Sequence, residues 1–288
     1  MALDINQLEK PFNKLGKLLK KLPKQPSPEQ VHDIRTRTRR VEAALCAVSL
    51  ERKRMGQQAI KALTPVRKRA GKVRDMDVLM EFACSLSGER DQECHVQLLE
   101  YLGHARFQGS RKLHKVAVLR RRAATQSLKR CASSIKRNFN GAKGQKEWPA
   151  DAAAAALELS GEVANWPRLN AKNLHPFRLK VKELRYVLQL SGQDSELVDM
   201  LGEVKDKIGE WHDWTELSTI AEDLLQHSGR CDVQEQIRAG ARQRFQKAMA
   251  LANRVREEYF DKPGANNKRR GSLRMKEPVL KASASLAA

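Results

Sequence analysis

The chain repeats itself, and the repeat limits its architecture more than any other feature. Val31-His-Asp-Ile-Arg-Thr-Arg-Thr-Arg-Arg-Val41 returns 143 residues later as Leu174-His-Pro-Phe-Arg-Leu-Lys-Val-Lys-Glu-Leu184. A second block, Leu63, Val66, Ala70, Gly71, Val73, Asp75 and Leu79, returns 138 residues later as Leu201, Val204, Ile208, Gly209, Trp211, Asp213 and Leu217. The two offsets differ by five residues, which a length change in one connection accommodates. A duplicated chain of 288 residues implies two similar units, and a pseudo-two-fold between them is the simplest arrangement.

Within the repeat the apolar period is helical. Leu8, Phe12, Leu15, Leu19 and Leu22 recur every three or four residues and predict a first amphipathic helix, closed by the linker Pro23–Pro26. Ser27-Pro28-Glu29-Gln30 then supplies an N-cap, a proline for the first helical position and a capping-box glutamine. Further helices are predicted near 57–70, 75–87, 91–139, 174–191, 195–208, 213–227 and 231–260, and no stretch alternates as a strand would. The expectation is an all-α fold of two four-helix units. It divides into an N-terminal helix and linker (1–26), a first half (27–139), a linker with a short helix (140–172), a second half (173–260) and a disordered basic tail (261–288). Five isolated cysteines without a Cys-x-x-Cys pair argue against a disulfide framework or thiolate zinc site. With no apolar run of spanning length and an acid where a leader peptide needs bases, the chain reads as cytoplasmic.

The charge is lopsided: 55 Lys and Arg against 34 Asp and Glu, a net +21. Such a surplus speaks of a polyanionic partner and says nothing about fold. Val31 to Asp75 holds thirteen bases and no aromatic, and Arg111 to Asn138 ten bases, no acid and no aromatic. Single-strand binders interleave rings with cations so that bases can stack; here the cations come alone and suit phosphates. At about 100° per residue, His32, Arg35 and Arg39 share one helix face, opposite Ile34, Val41, Leu45 and Val48. His175, Arg178, Lys182 and Arg185 do the same opposite Phe177, Leu184 and Leu188. Neither ladder position holds an acid, and each ladder opens with a histidine near a helix N-terminus, where an anion is favoured. A third row, Arg111, Lys115, Arg122, Lys129 and Lys136, spans roughly 37 Å opposite Leu113, Ala117, Ala124, Cys131 and Ile135. It is open to two readings, a binding row or the surface of a very basic protein. Arg120 interrupts the apolar side and is expected to snorkel.

The repeated segments, with Val73-Arg-Asp-Met-Asp-Val-Leu and Ile208-Gly-Glu-Trp-His-Asp-Trp, resemble the four signature segments of CHAD (conserved histidine α-helical) domains. The resemblance runs over about residues 28–260. It implies two four-helix bundles around a basic central cleft that binds inorganic polyphosphate, and in some members association with storage granules. By position it assigns His32, Arg35 and Arg39 to one wall and His175, Arg178, Lys182 and Arg185 to the other. Arg111, Lys115, Arg122 and Lys129 are taken as further polyphosphate contacts. Arg37 and Lys180 match basic positions but lie about 140° round their helices. Many relatives carry a fused triphosphate-tunnel domain, and this chain reads as a stand-alone version.

Two other chemistries compete. Nucleic acid, met by the Arg111–Lys136 row and the Lys268-Arg-Arg270 tail, is expected as a weaker competitor for the same charges. The pair His212-Asp213 invites a metal-dependent phosphohydrolase, but the first-half counterpart of His212 is Arg74, which ligates no metal. Capping or an ion pair explains both aspartates, so the reading is of a binding module without catalysis, cofactor or metal.

Overall fold

The computed structural model describes residues 5–47, 50–87, 92–140, 150–190, 196–226 and 231–260. The expected linker from 141 to 149 and the tail from 261 to 288 lie outside them. The described residues form helices and no strand: α1 (Ile5–Lys21), α2 (Pro28–Ala47), α3 (Arg54–Cys84), α4 (Gln92–Asn140), α5 (Ala150–Ala164), α6 (Leu174–Leu190), α7 (Glu196–Leu224) and α8 (Asp232–Tyr259).

The helix starts follow the local chemistry. At α2 the Gln30 N–H donates to Ser27 Oγ at 3.3 Å and the Ser27 N–H donates to Gln30 Oε1 at 3.0 Å, a reciprocal capping box with Pro28 at the first helical position. Ahead of α6, the Asn170 N–H donates to Asn173 Oδ1 at 2.8 Å and the Asn173 N–H to Asn170 Oδ1 at 3.2 Å. Pro176 then sits in the first turn, where its missing N–H costs nothing.

In the first half α1 packs on α2 and α4, and α3 packs on α2 and α4, closing a ring of four helices. Phe12, Leu15 and Leu19 of α1 join Val31, Ile34, Leu63, Val66, Leu113 and Ala124 in one core. In the second half α5 packs on α6, α6 on α7 and α7 on α8, around Leu159, Val163, Phe177, Val181, Leu201, Ile208 and Ala252. A third core joins the halves. Leu79 and Ala83 of α3 and Leu98 and Leu102 of α4 meet Trp214, Leu217 and Ala221 of α7 and Val233 and Ile237 of α8.

That third core explains the main departure from the sequence reading. Two pairs of shorter helices were expected where α3 and α7 each run unbroken through Gly71 and Gly209. A mid-helix glycine weakens a helix by about 1 kcal/mol. Each of these helices has one end in its own half's core and the other in the joining core, and burial at both ends outweighs that cost. Arg120 is exposed, as a side chain that snorkels out of the apolar side must be, and of the cysteines Cys131 and Cys231 are buried while Cys46 and Cys84 are exposed.

Candidate polyanion site

The two ladders sit on α2 and α6, and each packs against the long helix that follows it: α2 on α3, α6 on α7, with α3 crossing α7. The crossing brings the ladders within electrostatic reach. Burial, and then the charges of Arg39, Arg178, Arg35 and Lys205, hold the Lys182 ammonium down at about 8. Burial likewise lowers the Arg39 guanidinium, with Arg35 and Arg67 pressing the same way, while Tyr186 of α6 opposes. Arg35, Arg39, Arg178 and Lys182 thus belong to one electrostatic neighbourhood built from both halves. Among the described residues none of the four has a carboxylate within close bonding distance; the nearest ion pair is Arg35 Nη1 to Asp75 Oδ1 at 3.8 Å.

The remaining expected residues divide. His175 faces another ring, His212 of α7, with centroids 4.3 Å apart. Burial lowers its pKa, and His212 and Arg178 add to the effect, so its surroundings favour the neutral ring. His32 is exposed, and its counterpart of His212 is Arg74. Arg185 is committed to the fold: its Nε donates to the carbonyl of Val198 at 3.2 Å, across Gly202. Arg178 does the same one layer on, its Nε donating to Lys205 O at 2.9 Å across Gly209. In both places the arginine bonds the carbonyl four residues before the glycine. An added Cβ at Gly209 would stand 2.7 Å from Arg178 Nη2, so the missing side chain is what admits the guanidinium. Arg37 and Lys180 are bonded to acids, Arg37 to Asp33 at 2.8 Å and Lys180 to Glu162 at 2.7 Å, and so are not free for a ligand.

Arg111, Lys115, Arg122 and Lys129 are not part of this neighbourhood. They are exposed on the side of α4 opposite Leu113, Ala117, Ala124 and Cys131, which pack inward. Within the four-helix ring α4 lies diagonally across from α2.

Four contributors escaped the ladder argument. Arg67 reaches Arg39 electrostatically, and Lys205 reaches Lys182. They stand at equivalent positions of α3 and α7, one turn before Gly71 and Gly209, so the 138-residue repeat already pointed to them. Each carries its own acid: Glu42 accepts from Arg67 Nε at 3.0 Å, and Asp206 lies 2.7 Å from Lys205. The other two are Asp75 and Asp213, from the same repeat. Burial pushes the Asp213 carboxyl up to about 6, despite Arg178 and His212, and raises Asp75 as well. Both stand inside their helices, away from any cap: Asp75 pairs loosely with Arg35 at 3.8 Å, and Asp213 lies within electrostatic reach of Arg178 and His212. Among the described residues no three His, Cys, Asp or Glu side chains are grouped to hold a metal ion, and no helix is long and apolar enough to cross a membrane.

The comparisons with known proteins bear on the fold and the family. No curated protein matches the sequence. A crystal structure of the CHAD domain from the plant Ricinus communis is similar in fold, with a TM-score of 0.54 and 15% identity over 90% of this chain and 94% of that one. The family model for the CHAD domain matches residues 7–226, and the chain belongs to that family.

Proposed function

We propose that this protein binds inorganic polyphosphate in a cleft between its two halves, without catalysis, the halves being related by a pseudo-two-fold axis near the α3–α7 crossing. One observation carries the reading. Arg39 and Lys182, equivalent residues of the two repeats, belong to one half-buried group of cations in which burial first, and then the charges of Arg39, Arg178, Arg35 and Lys205, hold the Lys182 ammonium down at about 8. Holding like charges together costs folding energy, and a linear polyanion threaded between them recovers it. Arg35 and Arg178 extend the cluster toward Asp75 and Asp213, and His32 and His175 stand at the helix starts. Tyr186 stands beside Arg39 and Lys182, but one ring does not make the run of stacking platforms a single strand needs, so nucleic acid is a weaker competitor. A cytoplasmic setting, with association to polyphosphate or storage granules, fits this chemistry.

The test is binding of defined polyphosphate lengths at two salt concentrations, with duplex nucleic acid as competitor. By analogy with single strands, each neutralised phosphate adds about 0.7 to the log–log salt slope, so four to six engaged cations predict a slope of roughly −3 to −4. Arg39→Ala with Lys182→Ala should remove binding and leave the helical signal intact. Binding by that double variant at parental strength sinks the proposal, as does displacement of polyphosphate by duplex at equal phosphate concentration. Phosphate release that needs a divalent ion and disappears in Asp213→Asn would instead point to hydrolysis.

A further inference from the structure

The α1 and α4 surfaces form a second electropositive face that the cluster above does not use. Arg106 Nη2 donates to Pro26 O at 2.9 Å, and His114 Nδ1 lies 3.1 Å from Leu22 O. As the chain runs from 22 to 26 its partners on α4 step backwards, so α1 lies antiparallel along the later part of α4. Lys10, Lys14, Lys17 and Lys21 are all exposed on α1, opposite Phe12, Leu15 and Leu19, which fill the core. On α4, Arg111, Lys115, Arg122 and Lys129 make the parallel exposed row. No Asp or Glu occurs from 10 to 24 or from 101 to 140, so neither row has an acid within its own span.

A purely cationic face would suit any polyanion. This one also carries apolar side chains in the open: Leu119 is 75% exposed, Val118 47%, Phe107 46% and Tyr101 47%. On the helical wheel all four point to the same side of α4 as the basic row. Arg111 lies 5.9 Å from the centroid of Phe107, cation and ring pointing outward together. A single exposed apolar side chain is ordinary on a soluble protein; four on the side of α4 that bears the basic row make a mixed apolar and cationic surface. At a bilayer interface the combination is favourable: lysines and arginines meet anionic headgroups while leucine and aromatic groups enter the acyl boundary. A rod of two helices presenting some 37 Å of such side chains matches a flat surface better than a flexible string.

We propose that the outer face of α1 and α4 docks this protein on a bilayer surface bearing anionic phospholipid, leaving the α2–α6 cluster open to its own ligand. The site and its ligand are separate from those of the polyphosphate reading, so either can fail alone. The test is co-sedimentation of the full chain with vesicles of phosphatidylglycerol and phosphatidylcholine, against vesicles of phosphatidylcholine only. Partition to the anionic vesicles alone is expected. Lys115→Gln, Arg122→Gln and Lys129→Gln together should weaken it by roughly a hundredfold, at about one screened charge contact per residue. Leu119→Asn, which alters no charge, should weaken it several-fold, while Arg39→Gln with Lys182→Gln should leave it unchanged. All these positions are exposed or half-exposed, and far-UV circular dichroism will show that each variant stays folded. The proposal is overturned by absence of partition, by an unchanged Leu119→Asn variant, or by equal loss in the Arg39/Lys182 variant. Duplex DNA that strips the protein from vesicles with Leu119→Asn indistinguishable from the parent would assign the face to nucleic acid and likewise overturn it.

Discussion

Replacing Lys182 by arginine tests whether the cation cluster is built for a polyanion. The ammonium is held at about 8, first by burial and then by Arg39, Arg178, Arg35 and Lys205, against an ordinary value near 10.4. The free protein is therefore about nine-tenths charged at this position near pH 7 and about one-tenth charged near pH 9. A polyphosphate segment lying over the cluster neutralises the surrounding cations and returns the ammonium to its usual range. The ligand binds the protonated form more tightly, so affinity must fall as pH rises through the free-state value. Taking the bound value near 10.4, the apparent binding constant drops about tenfold between roughly pH 7 and pH 9. The same linkage requires proton uptake of about half an equivalent per site near pH 8 and almost none a unit and a half lower. Titration calorimetry in buffers of different ionisation enthalpy reads that uptake directly. Lys182→Arg, whose guanidinium stays charged throughout, should bind with nearly flat affinity over this range and take up no proton at this position. If the parent binds equally well at both pH values, or if the arginine variant shows the same slope, Lys182 does not face the ligand and the cluster argument fails.

Four further outcomes follow from the structure. Gly209→Ala should leave thermal stability near that of the parent, because the helix gains about 1 kcal/mol from alanine while displaced Arg178 loses its bond to Lys205 O; polyphosphate affinity should fall. In Gly240→Ala the new Cβ collides with the Trp214 ring, which is held between stacked Phe82 and the Arg244 guanidinium 4.0 Å away, so melting should drop by the equivalent of about 1–3 kcal/mol with binding retained. Arg106→Ala strands buried Asp77, now paired at 2.6 Å, and should cost about 3 kcal/mol in denaturant unfolding, with Asp77→Asn in the same chain restoring part of it. Asp213→Asn removes a carboxyl that titrates at about 6, so it should tighten polyphosphate binding above that pH and flatten the rise in affinity that the parent shows on acidification.

The repeat and the helical period were enough to place nearly every helix, because capping residues and apolar stripes are local. The capping box at Ser27 and Gln30 and the buried stripe through Leu113, Ala117 and Ala124 stand where the periodicity put them. The continuity of α3 and α7 was not legible, since it depends on a third core that gathers Leu79, Leu98, Trp214 and Val233 from four helices. The ladders were read correctly as faces, but a helical wheel assigns only direction. It cannot tell that Arg185 and Arg178 spend hydrogen bonds on the α7 backbone while Arg39 and Lys182 do not. Nor can it show that Arg67 and Lys205 enter from neighbouring helices, although the 138-residue repeat marked both positions.

The halves differ in how firmly they hold their cations, and the difference has a physical origin in the α6–α7 pair. In the second half two arginines are locked over glycines and bonded to backbone carbonyls. In the first half Arg35 makes only a loose ion pair at 3.8 Å, and nothing lies within 4 Å of where a Cβ would stand on Gly71. Glu42, the counterpart of Arg185, turns to Arg67 instead. A locked guanidinium has already lost its rotamer freedom and presents charge at a fixed point; a loose one keeps up to about 2 kcal/mol of side-chain entropy until a ligand orders it. The same sequence pattern therefore yields one rigid row of cations and one adaptable row. For a linear polyanion whose phosphates are equivalent but whose backbone bends freely, a fixed wall to register against and a compliant wall to close over it suit the ligand better than two identical rigid faces. Symmetric rigid faces would demand one ligand conformation and forfeit the conformational entropy that the chain otherwise keeps.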